Sequence, residues 1–184
     1  MLDERALVDG CRHRDRTAQR KLYELFARKL FVVSQRYTKN RDDAEDVLQD
    51  AFVKAFQHID SFRFECPLEA WLKRIVINTA LKHIRKQKPW QNQAELDDVP
   101  AAALPQTDDS LSGLHYQQLL KMVQELPPGC QAVFNLYALE GYTHPEIAEL
   151  LEISEGTSKS QYARARMLLQ QKIQNERRFR NESV

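Results

Sequence analysis

A chain of 184 residues with 42% apolar content is long enough for one domain or two small ones with real cores, and too apolar to be a disordered tail. The opening MLDERALVDG lacks an apolar signal-peptide core, and no run approaches the ~18 consecutive apolar residues of a membrane span, so a cytoplasmic protein without membrane insertion is expected. Cys11, Cys66 and Cys130 are widely spaced, with neither metal-ligand spacing nor a disulfide framework; reduced thiols, no metal and no cofactor are expected.

The formal net charge of +1 hides an uneven distribution. Residues 1–88 hold 19 Lys/Arg against 13 Asp/Glu, residues 89–115 hold five acidic residues and no basic one, and residues 116–184 balance eight against eight. Such blocks point to separate segments with separate partners. The expected organisation is two small helical domains, 1–88 and 113–184, joined by an extended acidic linker over 89–112 with Pro89, Pro100 and Pro105 at its bends.

In chain order, Leu22, Leu25, Phe26, Leu30 and Val33 keep a helical apolar face from about 17 to 38, and Asp42 or Asp43 can cap the next helix. In that helix Ala44, Val47, Leu48, Ala51, Phe52, Ala55, Phe56 and Ile59 form a core face, with Asp42, Asp46, Gln49, Asp50 and Gln57 on the other side. SFRFECP, with Pro67 and alternating aromatic or thiol side chains, reads as a loop. The following helix, 68 to about 87, contains RIVINTALKHIRK. There Asn78 and Thr79 are poor helix formers inside a helical rhythm, while Arg74, Asn78, Lys82 and Arg85 fall on one polar and cationic stripe that continues into Lys86 and Lys88. Water is the ordinary neighbour of such a stripe. With Phe62, Phe64 and Trp71 close by, however, cations for phosphates, rings for unpaired bases and an amide for a base edge also suit single-stranded or opening DNA. The plain alternative for each ring is a place in the core.

Beyond the linker, 114–126 reads as a short helix stopped by Pro127 and Pro128, and 129–140 as a second, broken by Gly141. Thr143, Pro145 and Glu146 make a capping box for a third helix ending near Leu151, and Ser154 caps a fourth running to about Ile173. THPEIAELLEISEGTSKSQYARAR is thus a helix-turn-helix pattern. Thr157, Ser160, Gln161 and Arg164 are expected on its outward face, with Gln161 and Arg164 reaching base edges. Ser154, Thr157 and Lys159 are expected to hold phosphate. An ordinary helical hairpin is the alternative. The five histidines fall in no nucleophile or metal constellation, so no catalytic residue is expected.

NRDDAEDVLQDAFVKAFQHIDSF followed by AWLKRIVINTALKHIRK closely resembles region 2 of bacterial extracytoplasmic-function (ECF) sigma factors of the sigma-70 family, and LPPGCQAVFNLYALEGYTHPEIAELLEISEGTSKSQYARAR is similar to their region 4. The resemblance covers nearly the whole chain in the family's order. It implies an all-α fold and a transcription initiation factor that binds core RNA polymerase, recognises promoter DNA and melts it; the alternative is a stand-alone helix-turn-helix regulator, which leaves the acidic face and the aromatic loop unexplained. Carried over by position, Asp46, Gln49 and Asp50 would dock on the polymerase clamp. Phe62, Phe64 and the Arg74/Asn78/Lys82/Arg85/Lys86 stripe would hold the opened minus-ten strand, and region 4 would read the minus-thirty-five element. An anti-sigma factor is an implied partner, and a monomer is expected when polymerase is absent. Two departures stand out: Glu152 occupies a turn where the family often has glycine, and Ser158 and Gln161 replace an apolar and a basic residue common in relatives.

Overall fold

A computed structural model describes residues 4–87 and 116–182. Every regular element among them is helical, and the chain divides into two compact units, Met1–Gln87 and Lys88–Val184. The acidic linker lies outside the described residues.

The first unit holds α1 (Glu4–Arg12), α2 (Arg16–Tyr37), α3 (Arg41–His58) and α4 (Leu68–Gln87). Spacing of three and four turns Leu22, Phe26, Leu30 and Val33 of α2 inward against Val47, Leu48, Ala51 and Phe52 of α3 and Leu72, Val76, Ala80 and Ile84 of α4. The cap of α3 is Asn40, whose side chain accepts from the Asp43 N–H at 2.8 Å, rather than Asp42 or Asp43 as expected; Asn40 stands one place before the helix and can reach its third N–H.

Helix α1 was not expected. It buries Leu7, Val8 and Cys11, and Gly10 sits where a Cβ would lie 2.6 Å from the Ala18 Cβ. The missing side chain therefore allows α1 and α2 to approach closely, which offsets the weak helix propensity of glycine. Arg14 closes α1 in the left-handed region (φ 57°), and Asp15 then caps α2 by accepting from Thr17 N–H at 2.8 Å.

The second unit holds α5 (Tyr116–Gln124), α6 (Pro128–Phe134), α7 (His144–Leu151) and α8 (Glu155–Glu182). The helix expected over 129–140 is α-helical only as far as Phe134. Residues 135–139 widen into a π turn whose last bond runs from Glu140 N–H to Asn135 C=O at 3.0 Å, and Gly141 (φ 79°) then reverses the chain. Helix α8 runs to Glu182, beyond the expected end near Ile173. Leu126, Cys130 and Ala165 centre a small core onto which Phe134, Leu168 and Leu169 pack.

Candidate nucleic-acid and protein interfaces

On α3, Asp46, Gln49 and Asp50 are all exposed, and Val53, 54% exposed, lies on the same side. An open groove of about 270 Å³, lined by Tyr23, Phe31, Arg41, Glu45, Leu48 and Gln49 among others, borders this face. The arrangement is an acidic ledge with apolar footholds, suited to a protein surface that is itself basic and partly apolar.

On α4, Arg74, Lys82 and Lys86 are exposed while Asn78 and Arg85 are half-buried, so the expected stripe exists as a continuous outward line. Its neighbour Thr79 has a different reason to be there. It is 5% exposed, and its hydroxyl accepts from Lys54 Nζ at 3.1 Å, tying α4 to α3. Of the two poor helix formers, Thr79 therefore serves the packing and Asn78 the surface.

Phe62 does not face solvent. It is 2% exposed, with its ring 4.8 Å from Phe64 and 5.3 Å from Trp71 between centroids, so the expectation that Phe62 touches DNA is corrected: its ring is core. The 3₁₀ turn Ile59–Ser61 aims it inward, and the Phe62 N–H bonds to Ile59 C=O at 3.1 Å. Phe64 stays half-buried, in a left-handed conformation (φ 60°) that a bulky side chain rarely takes, while Arg63, Glu65 and Cys66 form the exposed rim of the loop.

In the second unit Thr143 and Glu146 form the full capping box at the start of α7. Thr143 N–H donates to Glu146 Oε2 at 2.7 Å, which with the Thr143 hydroxyl holds that carboxyl below its ordinary range. Helix α7 ends on Glu152 in the left-handed region (φ 57°, ψ 43°), with Ile153 N–H bonded to Ala148 C=O at 3.0 Å and Glu152 N–H to Glu149 C=O at 3.3 Å. This pair of bonds is the Schellman closure that normally carries glycine. The turn delivers Ser154, whose Oγ accepts from Thr157 N–H at 2.9 Å and contacts the Thr157 hydroxyl at 2.8 Å, so these two residues first cap α8.

Along α8 the buried side is Ser158, Gln161 and Ala165. Gln161, expected at a base edge, is 9% exposed and its Oε1 accepts from Cys130 Sγ at 2.9 Å, so that expectation is corrected. The amide satisfies a buried thiol that burial pushes up to about 11. Ser158 likewise points inward and its Oγ lies 2.9 Å from Nδ1 of His144, whose ring stacks on Tyr137 at 4.4 Å. Burial, and then the Lys159 charge, lower the pKa of His144. With Ser158 and Gln161 inside, the outward line of α8 passes through Gly156, Ser160 and Ala163, flanked by Lys159 and a half-buried Arg164. Lys159 pairs with Glu155 at 2.6 Å, and the Ser160 hydroxyl donates to Thr157 C=O at 3.0 Å.

Arg5 and Arg12 of α1 were not singled out from sequence. Both guanidinium groups lie over the Phe64 ring, at 5.5 and 5.7 Å from its centroid. The only signal in the sequence was the pattern Leu7, Val8 and Cys11 on a very short helix.

Comparison with known proteins matches residues 22–89 to the model of sigma-70 region 2 and residues 116–169 to that of sigma-70 region 4. The ECF RNA polymerase sigma-E factor of Haemophilus influenzae is 30% identical, over 94% of this chain and 96% of its own length. The ECF RNA polymerase sigma factor SigM of Mycobacterium tuberculosis is 33% identical, over 84% of this chain and 76% of its own length. Among solved structures, the sigma factor RpoE in complex with the anti-sigma factor NepR, from Bartonella quintana, superposes with a TM-score of 0.53 at 25% identity, over 83% of this chain and 94% of that one. CnrH in complex with the cytosolic domain of CnrY has the same fold, with a TM-score of 0.51 at 23% identity, over 93% of this chain and 97% of that one. This chain therefore belongs to the sigma-70 family, as an ECF RNA polymerase sigma factor that acts in transcription initiation.

Proposed function

We propose that the chain works as a promoter-specificity subunit whose first unit joins core RNA polymerase to an opening DNA strand and whose second unit anchors the upstream promoter duplex. The observation that carries this reading is that one helical core presents two outward faces of opposite charge, the exposed Asp46/Gln49/Asp50 face of α3 and the Arg74/Lys82/Lys86 line of α4 with Asn78 half-buried within it. A negative face suits a basic protein surface, and a positive one suits phosphates. A rigid body holding both brings polymerase and DNA together without covalent chemistry, and binding energy on unpaired bases drives melting.

In the second unit Ser160 and Arg164 face the major groove, with Ser154, Thr157 and Lys159 in the first turns of α8 near phosphate. The segment 89–115, acidic and without a basic residue, suits a basic channel of the polymerase. The chain would act in the cytoplasm, where polymerase and promoter are found. RpoE of Bartonella quintana is bound to an anti-sigma factor, and we infer a partner of that kind for this chain, covering the faces that polymerase needs.

The test is Asp46→Arg with Asp50→Arg. Both positions are exposed, so the double variant folds, and it loses binding to core polymerase because like charges now meet across the docking surface. Wild-type affinity for core polymerase would refute the assignment. Asn78→Ala with Lys82→Ala should weaken open-complex formation more than closed binding, read by permanganate footprinting; normal melting at saturating concentration would make the stripe a solvated face.

A further inference from the structure

Loop 62–67 joins α3 to α4, and one of its residues, Phe64, is held in a backbone conformation that costs free energy for a bulky side chain. Such a conformation persists only where the surroundings impose it. The surroundings here come from α1, far away in sequence. Arg12 Nη2 donates to the Phe62 carbonyl at 2.6 Å, Arg12 Nη1 is held by Asp9 Oδ1 at 3.0 Å, and the same guanidinium lies 5.7 Å from the centre of the Phe64 ring. Arg5, two turns earlier on α1, covers the same ring at 5.5 Å, and Phe62 packs against it at 4.8 Å. Helix α1 is itself fixed to the core by Leu7, Val8 and Cys11 and by the close Gly10–Ala18 crossing.

We propose that Arg12 is a positioning residue for base capture: from α1 it holds loop 62–67 in the shape in which the loop receives an unpaired base of the melted strand. The inference rests on the strand-capture reading of the first unit and adds the element that shapes the capturing loop. A planar guanidinium with several donors in a fixed fork can bond a carbonyl and a carboxylate while lying against a ring. A lysine ammonium, a point charge on a flexible stem, cannot hold all three at once. The Phe62 backbone is thus bonded on both sides, its N–H to Ile59 C=O and its C=O to Arg12, two residues before the left-handed Phe64. Arg63, Glu65 and Cys66 are left exposed as the rim that a base would meet.

The experiment uses holoenzyme and a single-stranded oligonucleotide selected by the wild-type holoenzyme from a random library, together with versions of it carrying one abasic site at each position in turn. Wild-type holoenzyme is expected to lose affinity sharply at one abasic position. Arg12→Ala should bind core polymerase as wild type does, bind the intact oligonucleotide on the order of tenfold more weakly, as for one lost base-stacking contact, and become insensitive to the abasic site. Arg12→Lys should fall between the two.

The slope of affinity against salt should be the same in Arg12→Ala and wild type, because a positioning residue neutralises no phosphate. A retained abasic penalty in Arg12→Ala overturns the proposal. A flattened salt slope also overturns it, by making Arg12 a direct phosphate contact. Absence of any single-position penalty in the wild-type holoenzyme would instead overturn the strand-capture reading itself, and the proposal with it.

Discussion

Glu152→Gly should stabilise the second unit. Glu152 closes α7 at φ 57° and ψ 43°, where an L-residue with a Cβ is disfavoured by roughly 1–2 kcal/mol relative to its right-handed alternatives. Removing the Cβ recovers that strain, while the greater freedom of glycine in the unfolded chain takes back roughly 0.5–1 kcal/mol. The Glu152 side chain is exposed, so its surface contacts shift the balance by no more than about 0.5 kcal/mol. The net gain is about 0.5–1 kcal/mol. For a unit of this size it corresponds to a rise in Tm of about 2–8 °C. Scanning calorimetry of the whole chain should show the transition of the second unit moving up and that of the first unit unmoved, with the DNA preference of α8 unchanged. A lower or unchanged Tm would mean that the turn is not strained at Glu152, and the Schellman assignment would fall with it.

Phe62→Ala should cost about 3–5 kcal/mol in urea unfolding, as a buried aromatic ring does; a near-neutral effect on stability with loss of DNA binding would return the ring to the interface. Gln161→Leu should leave every base preference in a promoter library unchanged. Arg164→Ala should cost about 1–3 kcal/mol and blur preference at one base position, and Lys159→Ala should weaken all sequences alike; a base preference that follows Gln161 would reverse the orientation of α8. Because the Glu146 carboxyl is held below its ordinary 4.5 by Thr143, its contribution to stability is complete above the unfolded value and is lost as pH falls through the lower folded value. Glu146→Gln should remove that acid-side dependence from the second unit, measured as Tm against pH; an unaltered acid slope would assign it to other carboxylates.

Periodicity carried much of this fold, and the places where it failed share a cause. Helices α2, α3 and α4 are long, with apolar residues every three or four positions, so their inward faces could be read directly. Helix α1 has nine residues, and its glycine is explained only by a neighbour, Ala18, that no local pattern reveals. Gln161 shares the helical spacing of Thr157, Ser160 and Arg164, which sets it on the outward stripe, but a buried thiol on another helix needed an acceptor. Phe62 and Phe64 stand two residues apart in one loop and end in different environments, since the 3₁₀ turn before them sets the direction and alternation in a loop does not. The exposed acidic face of α3 and the stripe of α4 were legible for the opposite reason: each is what remains once a helical core face has been assigned.

The Gly10–Ala18 crossing has a practical consequence for hybrid promoter-specificity subunits. A graft that moves loop 62–67 between relatives, but leaves the recipient's first helix in place, separates the loop from the guanidinium that spans fifty positions of sequence to reach it. The transplantable block is discontinuous: residues 4–12 together with 59–67, and with them the small residue at position 18 that lets the first helix lie close enough for Arg12 to reach. Junctions placed between 12 and 59, natural as they look along the chain, cut through that block.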